Sequence, residues 1–193
     1  MLTLVLFLTK RVRSPDKDEW GKLNRGLRYL KGTRHTKLII TVDSLNTIRW
    51  YVDASYGVHA DCKGHTGMMM SLGAGASMSL SKGHKINVKR STKSELVGID
   101  DSLPDILWGK YFIEAQGHIV KHNILLQDNQ STILRTKNGT FSRSKKTKHI
   151  KHKFYLIKDK IAQGDVEVQY EPPGTMWCDI LTKPKQGAVF HKF

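Results

Sequence analysis

"TIRWYVDASYG", residues 47–57, decides how the rest of the chain is read. Ile48, Trp50 and Val52 alternate with Arg49, Tyr51 and Asp53, the period of a β-strand, and the residue types are those that strands favour. The alternation predicts that Asp53 lies on the face opposite the most apolar side. Strand interiors are poor in Asp, and a carboxylate there needs either a partner or a task.

Downstream, "HTGMMMSLG" and "GASMSLS" read as two further strands, joined as a hairpin through Gly73 and Gly75. From Ser91 the period becomes helical. Leu96, Ile99 and Leu103 share a face, and Pro104 is expected to separate this helix from a second one reaching about Gln116. "HNILLQD" predicts a short buried strand ending at Asp128, and "QSTILRTKN" a helix. Ile150, Phe154, Ile157 and Ile161 mark a long helix ended by Gly164, "DVEVQY" a strand, and "TMWCDILTK" a last short helix stopped by Pro184.

Upstream, "KLIITV" predicts a strand. "SPDKDEWGKLNRGLRYLKGT" predicts a helix capped by Ser14 and opened by Pro15, with Asp16, Asp18 and Glu19 at the positive end of its dipole and Gly32 ending it. Three hairpin-linked strands followed by strand–helix alternation imply an α/β (α+β) fold with a mixed sheet and helices packed on it. No internal repeat or low-complexity tract interrupts this order.

A chain of 193 residues that is 39% hydrophobic can bury a core and suggests one domain with a small appendage. Its formal charge of +15 points to a polyanionic partner, nucleic acid or an acidic membrane face. Cys62 and Cys178 form neither a disulfide framework nor a zinc spacing, which fits a reducing compartment. The opening "MLTLVLFLTKRVR" lacks the basic residue that precedes the apolar run of a signal peptide. The run is also too short to span a bilayer, so a core helix or strand is expected there.

Four carboxylates stand at ends of strands or starts of helices: Asp53, Glu95, Asp128 and Asp179. Side chains from distant segments converge at such places along one edge of a mixed sheet. Converging carboxylates repel, and a divalent cation with a preference for hard oxygen ligands, Mg²⁺ or Mn²⁺, relieves the repulsion. Two such ions, roughly 3.5–4 Å apart, clamp a phosphodiester for in-line attack by water. Each residue also has a bland reading: a satisfied edge-strand carboxylate for Asp53, a solvated helix residue for Glu95, a helix cap for Asp128 and a dipole partner for Asp179.

The local contexts favour the joint reading. "YVDASYG", "STKSELVGID", "QDNQS", "KTKHI" and "CDILTKP" resemble, in order, the landmarks of the ribonuclease H domain of copia-type LTR retrotransposon polyproteins. The family's typical strings are YVDADWAG, STEAEY, CDNQS, RTKHID and ADILTKP, and the match runs from about Thr47 to Pro184. "FLTKRVRSPDKDEWGKLNRGLRYLKGT" is similar to the piece just upstream, at the end of the reverse transcriptase.

The resemblance implies a ribonuclease H-like fold over 37–185, a helical remnant of the reverse transcriptase over 1–36 and a tail over 186–193. It implies that Asp53, Glu95, Asp128 and Asp179 are the catalytic, metal-binding tetrad for two Mg²⁺ ions, with Mn²⁺ as the alternative. The implied activity is hydrolysis of the RNA strand of an RNA/DNA hybrid. The upstream reverse transcriptase region becomes a partner, and virus-like particles in the cytoplasm and the nucleus become the expected locations, with no role at a membrane.

A basic surface accompanies the acids. From Asn129 to Lys158 there are nine Lys and Arg and no acidic residue, and "RSKKTKHIKHK", 143–153, holds six of them. Lys145, Lys146, Lys148 and Lys151 are the expected phosphate contacts, which give affinity without sequence readout. A second acid-free patch, "KGHKINVKRSTK", precedes the Glu95 helix. Ser55, Asn129, Gln130 and Ser131 are expected to hydrogen-bond a hybrid, which is recognised by backbone shape and 2′-hydroxyls.

Two positions depart from the family's pattern: Lys93 stands where an acid is usual, and Gln127 replaces a usual Cys. "EPPGTMWCD" lacks the His that many cellular ribonucleases H carry before their last Asp, an absence typical of the retrotransposon branch that the chain resembles. No YxDD-type polymerase motif is present, which points to a fragment of a polyprotein. The alternative is a nucleic-acid-binding remnant of the same fold that has lost cleavage. An integrase or transposase fits less well, because the matched Glu comes second rather than last.

Overall fold

The computed structural model describes residues 1–59, 62–88, 90–138, 148–183, 185 and 187–192; the side chains of 138, 148–154, 189, 191 and 192 lie outside the description. Five strands, β1 Thr47–Ser55, β2 His65–Ser71, β3 Met78–Gly83, β4 His122–Gln127 and β5 Glu167–Tyr170, form one sheet in the order β3-β2-β1-β4-β5. β1, β2 and β3 are antiparallel, whereas β1–β4 and β4–β5 are parallel. The predicted mixed α/β sheet is therefore present, with its parallel half reached by helical crossovers.

β1 is central and covered on both faces. Ile48, Trp50 and Val52 pack with Met68, Ile99, Leu103, Leu125 and Ile157 beneath helices α3 (Ser91–Ala115) and α5 (Lys148–Ala162). Trp50 is wholly buried, and its indole N–H donates to Asn123 Oδ1 at 2.8 Å. On the opposite face Tyr51 and Leu126 pack with Met176, Cys178 and Leu181, next to the short helix α6 (Asp179–Thr182). Asp53 thus faces away from the larger core, as the alternation predicts, yet it faces α6 rather than solvent.

Helix α4 spans Gln130–Asn138 and starts where the sequence predicts; Asn129 caps it, its Oδ1 accepting from Thr132 N–H at 3.1 Å. Two short helices lie near the ends, α1 (Leu2–Thr9) and α7 (Gly187–Lys192), and α2 spans Lys17–Thr33. No helix among the described residues is long and apolar enough to cross a membrane.

Several expectations need correction. α1 is a helix but not a core element, since none of its residues is buried. α2 is capped by Asp16, not Ser14: Asp16 Oδ1 accepts from the N–H of Asp18 and Glu19, and Glu19 returns a bond to the Asp16 N–H, a complete capping box. Gly32 lies inside α2, which continues to Thr33.

"KLIITV" joins no strand. Leu38 and Ile39 are about 70% exposed, and among the described residues the segment and the Asp43 that follows it hydrogen-bond to the β2–β3 loop, Thr41 N–H to Ala74 O, Ala74 N–H to Thr41 Oγ1 and Asp43 N–H to Leu72 O. An apolar run alone does not create a sheet position when no layer covers it.

Pro104 does not divide α3, which is one helix of 25 residues. The proline falls on the exposed side, and buried Ile99 and Leu103 before it and Ile106 and Ile113 after it keep both halves on the sheet. Of the α5 stripe, Ile157 is buried and Ile161 packs on the same core, while the side chains of Ile150 and Phe154 lie outside the description.

Candidate metal centre and nucleic-acid cleft

The parallel pairing of β1 with β4 sets the register of the site. Tyr51 pairs with Leu126, so Asp53 and Asp128 each stand two residues further along, at the same end of the sheet. Glu95 reaches them from the first turns of α3. One carboxylate oxygen from each of Asp53, Glu95 and Asp128 lies within 4.8 Å of the others.

Two close approaches make this possible. α3 crosses β1 at Gly98, where a Cβ would stand 2.9 Å from the Ala54 Cβ, so a larger residue would lift Glu95 away. α6 crosses β2 at Gly67, the register partner of Asp53, where a Cβ would meet Cys178 O at 2.9 Å and Leu181 Cβ at 2.8 Å.

Each acid is held by named contacts. The Thr182 hydroxyl donates a short hydrogen bond to Asp53 Oδ2. Glu95 Oε2 accepts from the Ala54 N–H at 3.0 Å and from Gln127 Nε2 at 3.3 Å. Gln127 is fully buried, and its Oε1 accepts from the N–H groups of Asp128 (2.8 Å) and Asn129 (3.2 Å), fixing the turn that carries Asp128. Because Asn129 caps α4, the Asp128 carboxylate is not spent on that cap.

Asp179 sits differently. It lies outside the group of three and is turned to two ammonium groups, Lys183 at 2.7 Å and Lys185. Its charge still reaches Asp53 and Asp128.

The electrostatics divide the four acids. Burial, then repulsion by Asp53 and Asp128, pushes Glu95 well above the usual carboxylate range. Burial also raises Asp53, against the pull of Lys183 and Thr182, and raises Asp128, with Asp53 adding to the effect. Burial alone would raise Asp179, but Lys183 and Lys185 more than offset it and hold the carboxyl low. Burial would lower Lys183, yet Asp53 and Asp179 overcome this and keep it firmly charged.

A donor set of three carboxylates, two of them buried and mutually repelling, fits a hard divalent cation, which would remove the repulsion and satisfy the oxygens. The acids floor a cleft of about 610 Å³. Ser55, Asn129, Gln130 and Ser131, the predicted hydrogen-bonding residues, all line it, with the Ser55 hydroxyl buried and without a hydrogen-bond partner among the described residues. Of the predicted phosphate contacts, Lys145 and Lys146 lie outside the described residues, and Lys148 and Lys151 are placed on α5 with their side chains outside the description. Sequence reasoning missed Lys183, which lines the cleft, Thr182 and Gln127; Thr182 and Lys183 stand in "CDILTKP", and Gln127 takes the place of the usual Cys in "QDNQS".

No family model matches the chain. Two curated plant proteins are similar to it. The retrovirus-related Pol polyprotein from transposon TNT 1-94 of Nicotiana tabacum is 26% identical over 177 residues, covering 91% of the chain and 13% of the relative. The retrovirus-related Pol polyprotein from transposon RE2 of Arabidopsis thaliana is 25% identical over 188 residues, covering 96% and 13%. The chain thus spans about one eighth of the length of these relatives.

Among solved structures, LC11-RNase H1 isolated from compost by a metagenomic approach superposes with a TM-score of 0.52 at 15% identity, over 70% of this chain and 92% of that one. The same enzyme in complex with an RNA/DNA hybrid gives 0.50 at 14%, over 70% and 93%. The fold is ribonuclease H-like, and the resemblance of the sequence to the ribonuclease H region of retrotransposon Pol polyproteins stands.

Proposed function

We propose that this chain is the ribonuclease H part of a copia-type retrotransposon polyprotein, cutting the RNA strand of RNA/DNA hybrids with Mg²⁺ or Mn²⁺ held by Asp53, Glu95 and Asp128, and with Asp179 completing the set. The observation that carries the reading is the meeting of three carboxylates from β1, α3 and the end of β4 within 4.8 Å, in a cleft lined by small polar side chains. Bound there, divalent ions would lower the pKa of an attacking water and stabilise charge on the phosphate and the leaving oxygen.

The protein's own part is to hold the acids and seat the substrate. Thr182 fixes Asp53, while Ala54 N–H and Gln127 fix Glu95, so the oxygens need little reorganisation. Asn129, Gln130 and Ser131 at the start of α4 offer hydrogen bonds to the sugar–phosphate backbone, and the chain's charge of +15 supplies long-range attraction. The exposed face of α2, with Trp20 at 64% and Leu27 at 53%, suits the upstream reverse transcriptase region as its cover. Virus-like particles and the nucleus are the proposed locations.

The test uses purified protein and a labelled RNA/DNA hybrid with Mg²⁺, Mn²⁺ or EDTA, alongside Asp53→Asn. RNA-strand cleavage that EDTA and the substitution abolish is expected. Binding without cleavage in either metal, by protein shown to be folded, would leave a binding remnant and sink the enzyme reading.

A further inference from the structure

The end of α6 brings a positive charge into the acidic cleft. Lys183 follows the helix in extended backbone (φ −133°, ψ 137°), and its Nζ lies 2.7 Å from Asp179 Oδ1 and 3.7 Å from Asp53 Oδ2. It lines the same cleft as Glu95 and Asp128. The ammonium therefore joins carboxylates from β1 and α6, two elements distant in sequence, while Lys185 takes the other oxygen of Asp179. The Lys183 side chain is 47% exposed, whereas that of Asp53 is 2% exposed, so the lysine can withdraw toward solvent and the aspartate cannot.

An ammonium and a divalent ion seek the same oxygens. Both are cations, and they cannot share Asp53 Oδ2 and Asp179 Oδ1 at close range without strong repulsion. We propose that Lys183 is a resident counter-cation of the carboxylate site: it keeps Asp53 and Asp179 together while no divalent ion is bound, and it must release them for one to enter, which lowers the site's divalent-ion affinity. This rests on the metal reading given above. Lys183 is on this view a positioning residue, because it acts on the carboxylates and not on the reacting atoms.

The experiment is calorimetric titration of Mn²⁺ into nucleic-acid-free protein, comparing wild type with Lys183→Met, Lys183→Gln and Lys183→Arg, together with metal-free melting of each. Loss of one partly exposed competing charge is expected to tighten Mn²⁺ binding about fivefold in either neutral variant. The metal-free neutral variants are expected to melt below wild type, and Lys183→Arg to stay within about twofold of wild-type affinity. Should Lys183→Met not fold, Lys183→Gln gives the same readout with a polar end retained. Equal or weaker Mn²⁺ binding by a folded neutral variant overturns the proposal. Failure of every protein, wild type included, to bind Mn²⁺ overturns the metal reading itself, a result distinct from equal binding by all.

Discussion

Replacing Glu95 by Gln is expected to stabilise the metal-free protein and, on the proposed reading, to abolish cleavage. The hydrogen bonds survive the change, because the carbonyl oxygen of the introduced amide can accept from the Ala54 N–H and from Gln127 as the carboxylate does. What disappears is the repulsion from Asp53 and Asp128, whose nearest oxygens lie within 4.8 Å. At an effective dielectric of about 20, a pair of full charges at that distance costs about 3.5 kcal/mol. Asp53 and Asp128 are themselves pushed toward the neutral form and Lys183 offsets part of the field, so a fraction of this, about 1–2 kcal/mol, is the expected gain. For a chain of this length that is roughly 2–8 °C in melting temperature.

The pH dependence carries the same sign. A carboxyl raised in the folded state binds its proton there after the unfolded chain has released it, so stability falls as pH rises above about 4 and levels off only past the folded-state pKa. Wild-type protein in EDTA is therefore expected to lose stability from pH 5 to pH 8, and Glu95→Gln to lose less. Circular-dichroism melting of both across that range, with and without Mg²⁺, measures it. Mg²⁺ at about 100 times its dissociation constant should add about 2.7 kcal/mol to wild type and less to the variant. A Glu95→Gln protein that melts at or below wild type in EDTA at pH 8 refutes the reasoning.

Gln127→Leu removes the acceptor of two backbone N–H groups and a donor to Glu95 from a fully buried position, and urea unfolding should show a loss of about 2–4 kcal/mol, with cleavage falling as well. Gly67→Ala forces a Cβ against Cys178 O and Leu181; a cost of about 1–3 kcal/mol is expected in the same assay, with weaker Mn²⁺ binding as Thr182 moves off Asp53. Asp165, held at about 2 by Lys110 first, then by Lys160 and Tyr111, ties α3 to the turn after α5. Its contribution is present above the ordinary carboxylate range and lost as pH falls toward 2, so acid unfolding of Asp165→Asn, compared with wild type, should show a difference of about 1 kcal/mol at pH 7 that shrinks on acidification.

Much of the architecture was legible because it is written in local periods. The alternation around Asp53 gives β1, the spacing of Leu96, Ile99 and Leu103 gives α3, and Gly164, at φ 75°, stands just beyond α5. The misreadings have a common cause. "KLIITV" has strand composition but no layer to cover it, and Pro104 has the residue type of a helix end but packing on both sides of it. Composition reports what a segment favours, and the tertiary neighbours decide. The supports of the site were hidden for the same reason. Thr182 meets Asp53 across 129 positions and Gln127 meets Glu95 across 32, and no spacing rule connects them.

The surroundings of Asp53 bear on whether these acids serve the fold or a task. A carboxylate kept for stability away from water is normally paired with a cation or saturated by donors, and the half-buried Asp165, with two ammonium groups and a tyrosine hydroxyl, is built that way. Asp179 also faces two ammonium groups, but one of them, Lys183, reaches across to Asp53 as well and so belongs to the cleft. Glu95 and Asp128 are not built that way. They have no ion-pair partner among those found in the described residues, they stand against each other and Asp53, and their carboxyls are pushed up instead of down. The Lys183 ammonium is given mainly to Asp179, at 2.7 Å, and only loosely to Asp53, at 3.7 Å. A fold that places Gly67, Gly98 and Gln127 so as to press three acids together works against its own stability at this point, which is the pattern of a site built to be completed by a cation from solution.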